Sequence, residues 1–398
     1  MAADGLMDRF FRAHPYLGAR DRGQIAEIVY GCLRQYRLLT TLAQKTDALA
    51  VIATYLALVT HASARELATL GIHTPEALVA AIHQDRSHWP WALNASLPDW
   101  LADQLQSALG EDQARTLAHS FLNAAPLDVR VNTLKTDRAR LQESLAQEGH
   151  DLTASPYSPW GLRRPSRASV FRTTAFAAGH FEVQDEGSQL IAPLLEPRRG
   201  ERIVDYCAGA GGKTLHLGAL MANSGTLYAF DTAQKRLDRL KERVVRAGLD
   251  NIRIQTITGG NDHKLKRLAG KIDRVLVDAP CSGTGTLRRS PDIKWRLTPE
   301  RITASAQTAL HILIAAARLV RPGGRLVYAT CSVLPEENTA VIDAFLAVCT
   351  DFKPVNSIEI LQRRGIPLPQ HINGTEALHL WPHQHGTDGF YAQALDRV

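Results

Sequence analysis

The stretch from Ile203 to Thr214 constrains the chain more than any other. Ile203 and Val204 form a short apolar run that reads as a buried strand and ends at Asp205. Gly209, Gly211 and Gly212 then allow a sharp turn and a close backbone approach to a ligand. Thr214–Met221 follows with helical periodicity. Strand, glycine turn and helix together present free backbone N–H groups to a bound small molecule. The turn is neither a Walker loop nor a Gly-x-Gly-x-x-Gly fingerprint, because its Gly-Lys-Thr end matches the former while its first glycine is misplaced. Nucleotides, dinucleotides and S-adenosylmethionine all remain open to such a turn.

The sequence downstream narrows the choice. Strands are expected at Arg202–Tyr206, Thr226–Asp231, Asn251–Thr258, Ile272–Asp278 and Gly324–Thr330, with helices at Ala233–Ala247, Pro299–Val320 and Pro335–Cys349. Such alternation predicts an α/β fold, a mostly parallel sheet with helices on both faces. Pro322-Gly323-Gly324 reads as a helix stop, and Gly389–Leu395 as an antiparallel strand at the sheet edge. Ligands of such sheets bind beyond the carboxyl ends of the strands, where Gly209–Gly212, Asp231, Asp278 and Cys331 all fall.

Three domains are expected from the 398 residues: a helical module over 1–92, a linker helix plus small mixed α/β unit over 93–195, and the main α/β domain over 196–398. In the first, Ile25, Ile28, Val29, Cys32 and Leu33 recur at helical spacing, with Arg20, Arg22, Arg34 and Arg37 on other faces. That reads either as a solvated basic surface or as a set of phosphate contacts. Pro98 stands where a helix would start. In the second, Leu127–Asn132, Val170–Arg172 and His180–Val183 read as strands and Asp137–Glu148 as a helix, with Arg163, Arg164, Arg167 and Arg172 giving a basic character.

A formal charge of +6 suits a polyanionic partner. Five cysteines without a Cys-x-x-Cys pair argue against a disulfide framework and a cysteine-rich zinc site. No segment has the length and apolarity of a signal peptide or a membrane span, so a cytosolic location and no membrane partner are expected.

Asp231 closes the second strand, where a carboxylate can accept from ribose hydroxyls or simply cap the helix that follows. Asp278-Ala-Pro-Cys281-Ser-Gly-Thr-Gly285 ends the fourth strand and Thr330-Cys331-Ser332 the fifth. Neighbouring parallel strands lie about 5 Å apart, so Cys281 and Cys331 could face one reaction centre. Cys32, Cys207 and Cys349 read as small hydrophobes. A metal held by the cysteine pair finds no Cys-x-x-Cys or His-x-His partner in either loop, leaving only His383 and His385 as distant ligands, and no metal is expected.

These motifs resemble the Nop/Sun family of RNA cytosine-5 methyltransferases, most closely its bacterial small-subunit rRNA methyltransferase B group. The resemblance is carried by Asp205–Thr214, by Asp278–Gly285, and by Thr330-Cys-Ser332 with Pro335-Glu-Glu-Asn338. Arg130-Val-Asn132, Gln184-Asp-Glu186 with Ser188, and Gly386-Thr-Asp-Gly-Phe390 support it. Asp21-Arg22, Val29-Tyr-Gly31 and Leu33-Arg34 resemble the family's NusB-like helical module.

The resemblance implies a Rossmann-like class I methyltransferase domain behind an RRM-like unit, with S-adenosylmethionine as cofactor. The backbone of Cys207, Ala208, Gly209, Ala210, Gly211, Gly212 and Lys213 would hold that cofactor, with Asp231, Arg236 and Asp278 completing the pocket. Cys331 would be the nucleophile, Cys281 would assist product release, and Asp278 would stabilise the intermediate near N3 of the base. A thiolate adding to C6 of cytosine makes C5 electron-rich enough to take a methyl group from a sulfonium, and the thiol must ionise to do so. The implied partner is RNA, with 16S rRNA the expected substrate. A tRNA-directed enzyme, a non-catalytic RNA-binding assembly factor and a small-molecule methyltransferase are the alternatives.

Two departures from the family pattern stand out. Ala210 replaces a usual proline in a loop whose backbone makes the contacts. The third strand runs Thr256-Ile-Thr258-Gly-Gly-Asn-Asp262 where an Asp usually ends it and holds the adenine. Either Asp262 takes over that role after a shift of the loop, or the contact is lost and cofactor affinity is weakened.

Overall fold

The computed structural model describes residues 2–166, 169–368 and 376–398. Arg167, counted above as basic surface, lies outside them. The chain forms two compact units, one of residues Met1–Ala124 with Thr286–Pro299, the other of Ala125–Gly285 with Glu300–Val398.

The first unit is helical. Its principal helices are Ala3–Ala13, Ala19–Arg34, Tyr36–Ala43, Ala48–Val59, Ala64–Thr69, Pro75–Ile82, Asp99–Leu109 and Glu111–Ser120. Leu38, Leu42, Ala53, Ala57, Leu67 and Ile82 meet in its core, and Cys32, Leu39, Val51 and Tyr55 form a second cluster. Gly31 is required where two helices touch, since a Cβ there would lie 2.3 Å from the Tyr55 ring. Helix Asp99–Leu109 belongs to this unit, so the helical part extends well past residue 92. Two of the arginines singled out above are engaged within the unit, one of them buried. Arg34 is buried and donates to the Arg288 carbonyl, and Arg37 bonds the Leu97 carbonyl and pairs with Asp99. Residues 286–299 pack here through Trp295, whose Nε1 donates to Leu33 O at 2.6 Å, and Lys294, whose Nζ donates to Arg34 O.

The second unit holds two sheets, with twelve strands among the described residues. They are β1 (Leu127–Val131), β2 (Thr153–Ala154), β3 (Gly161–Arg164), β4 (Phe181–Val183), β5 (Arg202–Asp205), β6 (Thr226–Asp231), β7 (Ile252–Thr256), β8 (Ile272–Asp278), β9 (Val320–Thr330), β10 (Phe352–Val355), β11 (Leu378–Leu380) and β12 (Phe390–Arg397). The smaller sheet is antiparallel in the order β2-β3-β1-β4, backed by helix Arg138–Gln147 through Leu141 and Leu145. Val170–Arg172, expected as a strand, is a turn whose Val170 carbonyl accepts the Thr173 hydroxyl. β3, which carries Arg163 and Arg164 of the basic stretch, is not legible in the sequence, because Gly161-Leu-Arg-Arg164 has too little alternation to read.

Every residue of β1 is buried, including Asp128 and Arg130. Arg163 pairs with Asp128 at 2.6 Å and with Glu186 at 3.1 Å, so this arginine is a scaffold cation rather than exposed basic surface.

The large sheet runs β7-β6-β5-β8-β9-β12-β10, with β11 also paired to β12. β5 to β9 are mutually parallel, while β12 is antiparallel to β9. β12 is therefore interior, flanked by β10 and β11, and not the edge strand expected. Alternate residues bury on opposite faces. Val204, Val275, Val277 and Tyr328 join Leu313 and Phe345 on one side, and Ile203, Leu276, Val327 and Ala329 join Leu194 and Leu217 on the other. Pro322-Gly-Gly324 does not stop the preceding helix, which ends at Ala317, but bulges within β9. Gly323 has φ +70°, and a Cβ on Gly324 would meet Asp273 O at 2.8 Å. Among the described residues no single helix is long and apolar enough to cross a membrane.

Candidate active site

The sheet order reverses at β5, so the carboxyl ends of β5 and β8 flank a crevice of the kind that binds ligands in such folds. A cavity of about 790 Å³ opens there, wholly within the second unit. It is lined by Cys207–Lys213, Asp231, Arg236, Asp278, Cys281 and Cys331, so every residue singled out for the site meets in one place.

The glycine turn is shaped by tight packing. Gly211 has φ +91°, and a Cβ there would lie 2.1 Å from Leu240 Cδ1. Its outward carbonyls are held by two arginines. Arg243 donates to Ala210 O at 2.6 Å and Arg130 to Gly212 O at 2.7 Å, with Glu182 pairing Arg243 and Gln184 accepting from Arg130. The Arg-Val-Asn and Gln-Asp-Glu motifs are thus interior struts: Asn132 donates to Gly179 O and Ala247 O, and Glu186 accepts from the Tyr157 and Ser158 amides.

Asp205 is buried, accepts from the Thr214 hydroxyl at 2.7 Å, and has its other oxygen without a hydrogen-bond partner. Burial, with Asp278 adding to it against the Thr214 bond, pushes its carboxyl up to about 7. Asp231 accepts from Gly209 N at 2.9 Å and from Ala233 N at 2.7 Å, which ties the glycine turn to the loop after β6; helix Gln234–Ala247 starts beyond it with Ala233 at its N-cap and no side-chain cap. Arg236 is mostly exposed, 4.0 Å from Asp231.

Lys213 contributes more than backbone. Its buried ammonium sits 2.6 Å from Asp278 Oδ2. Burial alone would lower its proton affinity, but Asp278 and the nearby Cys331 more than offset this and hold it above the usual lysine range.

Cys281 and Cys331 stand with their Sγ atoms 3.4 Å apart. The contact with Cys331, then burial, pushes the Cys281 thiol well above its ordinary range. Either sulfur can donate across the contact.

A buried polar lattice that the motifs do not reveal fixes this spacing. Glu337, fully buried, accepts from the Ser282 amide at 2.7 Å and from its hydroxyl. Thr284 and Ser332 share a hydroxyl contact at 3.1 Å, Asn338 donates to Ser332 O, and Thr330 donates to Asn338. The residues following each cysteine are thereby tied to the Pro335-Glu-Glu-Asn338 segment. Only the tertiary structure shows which glutamate of this segment turns inward.

Asp262 does not enter the cavity wall. Its oxygens accept from the Lys264 amide and from the Thr258 amide and hydroxyl, capping helix His263–Leu268. Ile257, Gly259, Gly260 and Asn261 line that end instead, facing His311, Ile312 and Ala315 from helix Pro299–Ala317. Cys32 is buried in the helical core and Cys349 packs against the sheet core, whereas Cys207 lines the cavity. His385 uses its ring nitrogen Nδ1 to accept from Trp381 N, and no cluster of metal-ligating side chains occurs among the described residues.

The mixed sheet with antiparallel β12 beside β9, the glycine turn and the crevice at the switch point have the architecture of a Rossmann-like class I methyltransferase. Residues 192–396 match the family model described as 16S rRNA methyltransferase RsmB/F, and residues 97–170 match the RsmF/B-like ferredoxin-like domain. The chain belongs to the RsmB/F family of S-adenosylmethionine-dependent methyltransferases.

The probable ribosomal RNA small subunit methyltransferase B of Synechocystis is 37% identical over 309 residues, 76% of this chain and 67% of that protein. Its counterpart in Bacillus subtilis is 35% identical, covering 75% and 66%. The match thus spans about two thirds of these relatives' length. Among solved structures, PH0851 aligns with a TM-score of 0.80 at 28% identity over 97% of this chain and 93% of its own. A methyltransferase homologue from Pyrococcus horikoshii gives 0.64 at 29%, covering 79% and 100%. NSun6 from the same organism, solved with SFG, gives 0.66 at 23% over 76% and 98%, a likeness of fold.

Proposed function

We propose that the protein methylates C5 of a cytidine in RNA, with 16S rRNA as the substrate, through a covalent bond between Cys331 Sγ and C6 of the base. The carrying observation is the thiol pair at the ends of β8 and β9, 3.4 Å apart and opening on the same cavity as the glycine turn. A small-molecule methyltransferase has no use for such a pair.

The cavity suits the methyl donor, which supplies an electrophilic methyl group when bound. The unpartnered oxygen of Asp205 and the carboxylate of Asp231 can accept from its amino and hydroxyl groups, and the Cys207–Lys213 turn admits its backbone closely. The protein's own residues do the rest. The Cys281 S–H and the Lys213 ammonium stabilise negative charge at Cys331, which then adds to C6. The electron pair displaced from the C5–C6 bond would form the bond to the methyl carbon, whose bond to the sulfonium would break to leave a neutral thioether. Asp278, paired with Lys213, accepts a hydrogen bond from the N4 amine of the base. Loss of the C5 proton to water then re-forms the double bond and expels Cys331, and Cys281 S–H stands ready to hydrogen-bond the departing sulfur. The helical unit, with Arg20 and Arg22 on its surface helix, serves as an RNA-docking module in this reading.

Cys281→Ala protein, incubated with cellular RNA and S-adenosylmethionine, is expected to accumulate a denaturation-resistant protein–RNA adduct. The Cys281→Ala/Cys331→Ala protein should form none, and sequencing the trapped RNA identifies the target. Failure of the single variant to trap RNA, together with absence of methyl transfer by the wild type, would leave a non-catalytic assembly factor as the better reading.

A further inference from the structure

We propose that Asn261 reads the base edge of the bound cofactor, and that its amide makes the site tolerant of hypoxanthine in place of adenine. The inference rests on the cofactor reading above.

The order of the strands maps the ligand onto the sheet. Cys331 follows β9, Cys281 and Asp278 mark β8, the glycine turn follows β5, Asp231 ends β6, and Asn261 follows β7. Strands are spaced 4.7–4.9 Å apart, so the β7 end lies roughly 14 Å along the sheet from the β8 end. With the reacting sulfur of the cofactor near Asp278 and its ribose at Asp231, the base falls at β7. Ile257, Ile312 and Ala315 give that end apolar walls suited to a flat ring. The turn is held close to the facing helix, for a Cβ on Gly260 would lie 2.7 Å from the Ala315 Cβ.

At this end the nearby acidic group is already engaged. Asp262 is buried and its two oxygens accept from Lys264 and Thr258, so it presents no acceptor to the cavity. Asn261 is exposed on the cavity wall, and its side-chain amide has no protein partner among the described residues. Arg318, which also lines the cavity, can only donate and so cannot accept the exocyclic amine.

An amide and a carboxylate read a purine differently. A carboxylate only accepts, which matches the adenine amine and leaves the O6 of hypoxanthine facing another acceptor. An amide carries both functions and can turn over. Its oxygen accepts from the adenine amine while its NH₂ donates to a ring nitrogen. Reversed, it accepts from N1–H of hypoxanthine and donates to O6.

The test measures binding by calorimetry, with no need for turnover. S-adenosylhomocysteine and S-inosylhomocysteine are titrated into the wild-type protein, Asn261→Asp and Asn261→Ala. The wild type is expected to bind both within about threefold. Asn261→Asp should keep the adenosyl compound and lose the inosyl compound by about tenfold or more. Asn261→Ala should weaken both, each by roughly two- to tenfold. Because Asn261 is exposed, these changes leave the fold intact. Unchanged affinity of Asn261→Ala for both compounds would move base recognition to the helix wall at His311 and overturn the assignment, as would an unaltered ratio in Asn261→Asp. A wild type that binds neither compound would instead sink the cofactor reading itself.

Discussion

Gly285→Ala isolates what holds the nucleophile in place. Gly285 donates its N–H to the Cys331 carbonyl at 2.9 Å and accepts from Gly389 N at 2.8 Å, joining the Cys281 loop, the Cys331 loop and the entry to β12. A Cβ on this residue would lie 2.2 Å from Gly389 O and 2.8 Å from Cys331 O, both backbone atoms that no rotamer change can clear. Its φ is outside the left-handed region, so the penalty is steric alone. Ordinary contact requires the Gly389 carbonyl to retreat by about 1.2 Å and the Cys331 carbonyl by about 0.6 Å. Overpacking of this kind costs about 1–3 kcal/mol of stability. If the Cys331 loop yields, a displacement of somewhat under 1 Å at the reacting atom lowers the rate by roughly ten- to a hundredfold. The glycine turn and Asp231 lie on other strands, so affinity for S-adenosylhomocysteine should hold within about twofold. Single-turnover methyl transfer, thermal melting and calorimetry separate the three quantities. A variant that melts lower yet transfers methyl at the wild-type rate would show that this junction does not position Cys331.

Two further outcomes follow from the buried charges. Arg163→Ala leaves the carboxylates of Asp128 and Glu186 buried without their cation, and denaturant unfolding should show a loss of about 3–5 kcal/mol; a change below about 1 kcal/mol would show that water enters and solvates both acids. Asp205 has its proton affinity raised in the folded state from its ordinary 3.8 to about 7. Its contribution to stability is therefore full below pH 4 and is lost as pH rises to 7. At about 1.4 kcal/mol per tenfold change, that loss is on the order of 4 kcal/mol. Asp205→Asn removes the dependence, so its stability relative to the wild type should rise between pH 4 and pH 7, and a flat difference across that range would refute the assignment.

Much of the large sheet was legible because its signals are local. Apolar runs of β-branched residues bounded by turn residues marked β5, β6, β8 and β9. The cysteines were legible for the same reason, since each sits at a strand end within a loop of small residues. β3, β10 and β11 were not, being short or poorly alternating and fixed only by pairing with partners far along the chain. Nor does the sequence tell a basic surface from basic scaffolding. Arg34 and Arg163 look like any other arginine until their partners at Arg288, Asp128 and Glu186 are brought to them.

The sequence by itself determined the α/β pattern, the glycine turn and the identity of the two thiols, because backbone propensity and side-chain chemistry are properties of neighbouring residues. The tertiary structure alone decided that those thiols touch, that Glu337 ties their loops together, that Lys213 turns its ammonium to Asp278, and that Asp262 caps a helix while Asn261 faces the cavity. Each of those facts depends on which distant atoms share a buried space, and burial is what converts a residue's chemistry into a fixed position and a shifted charge.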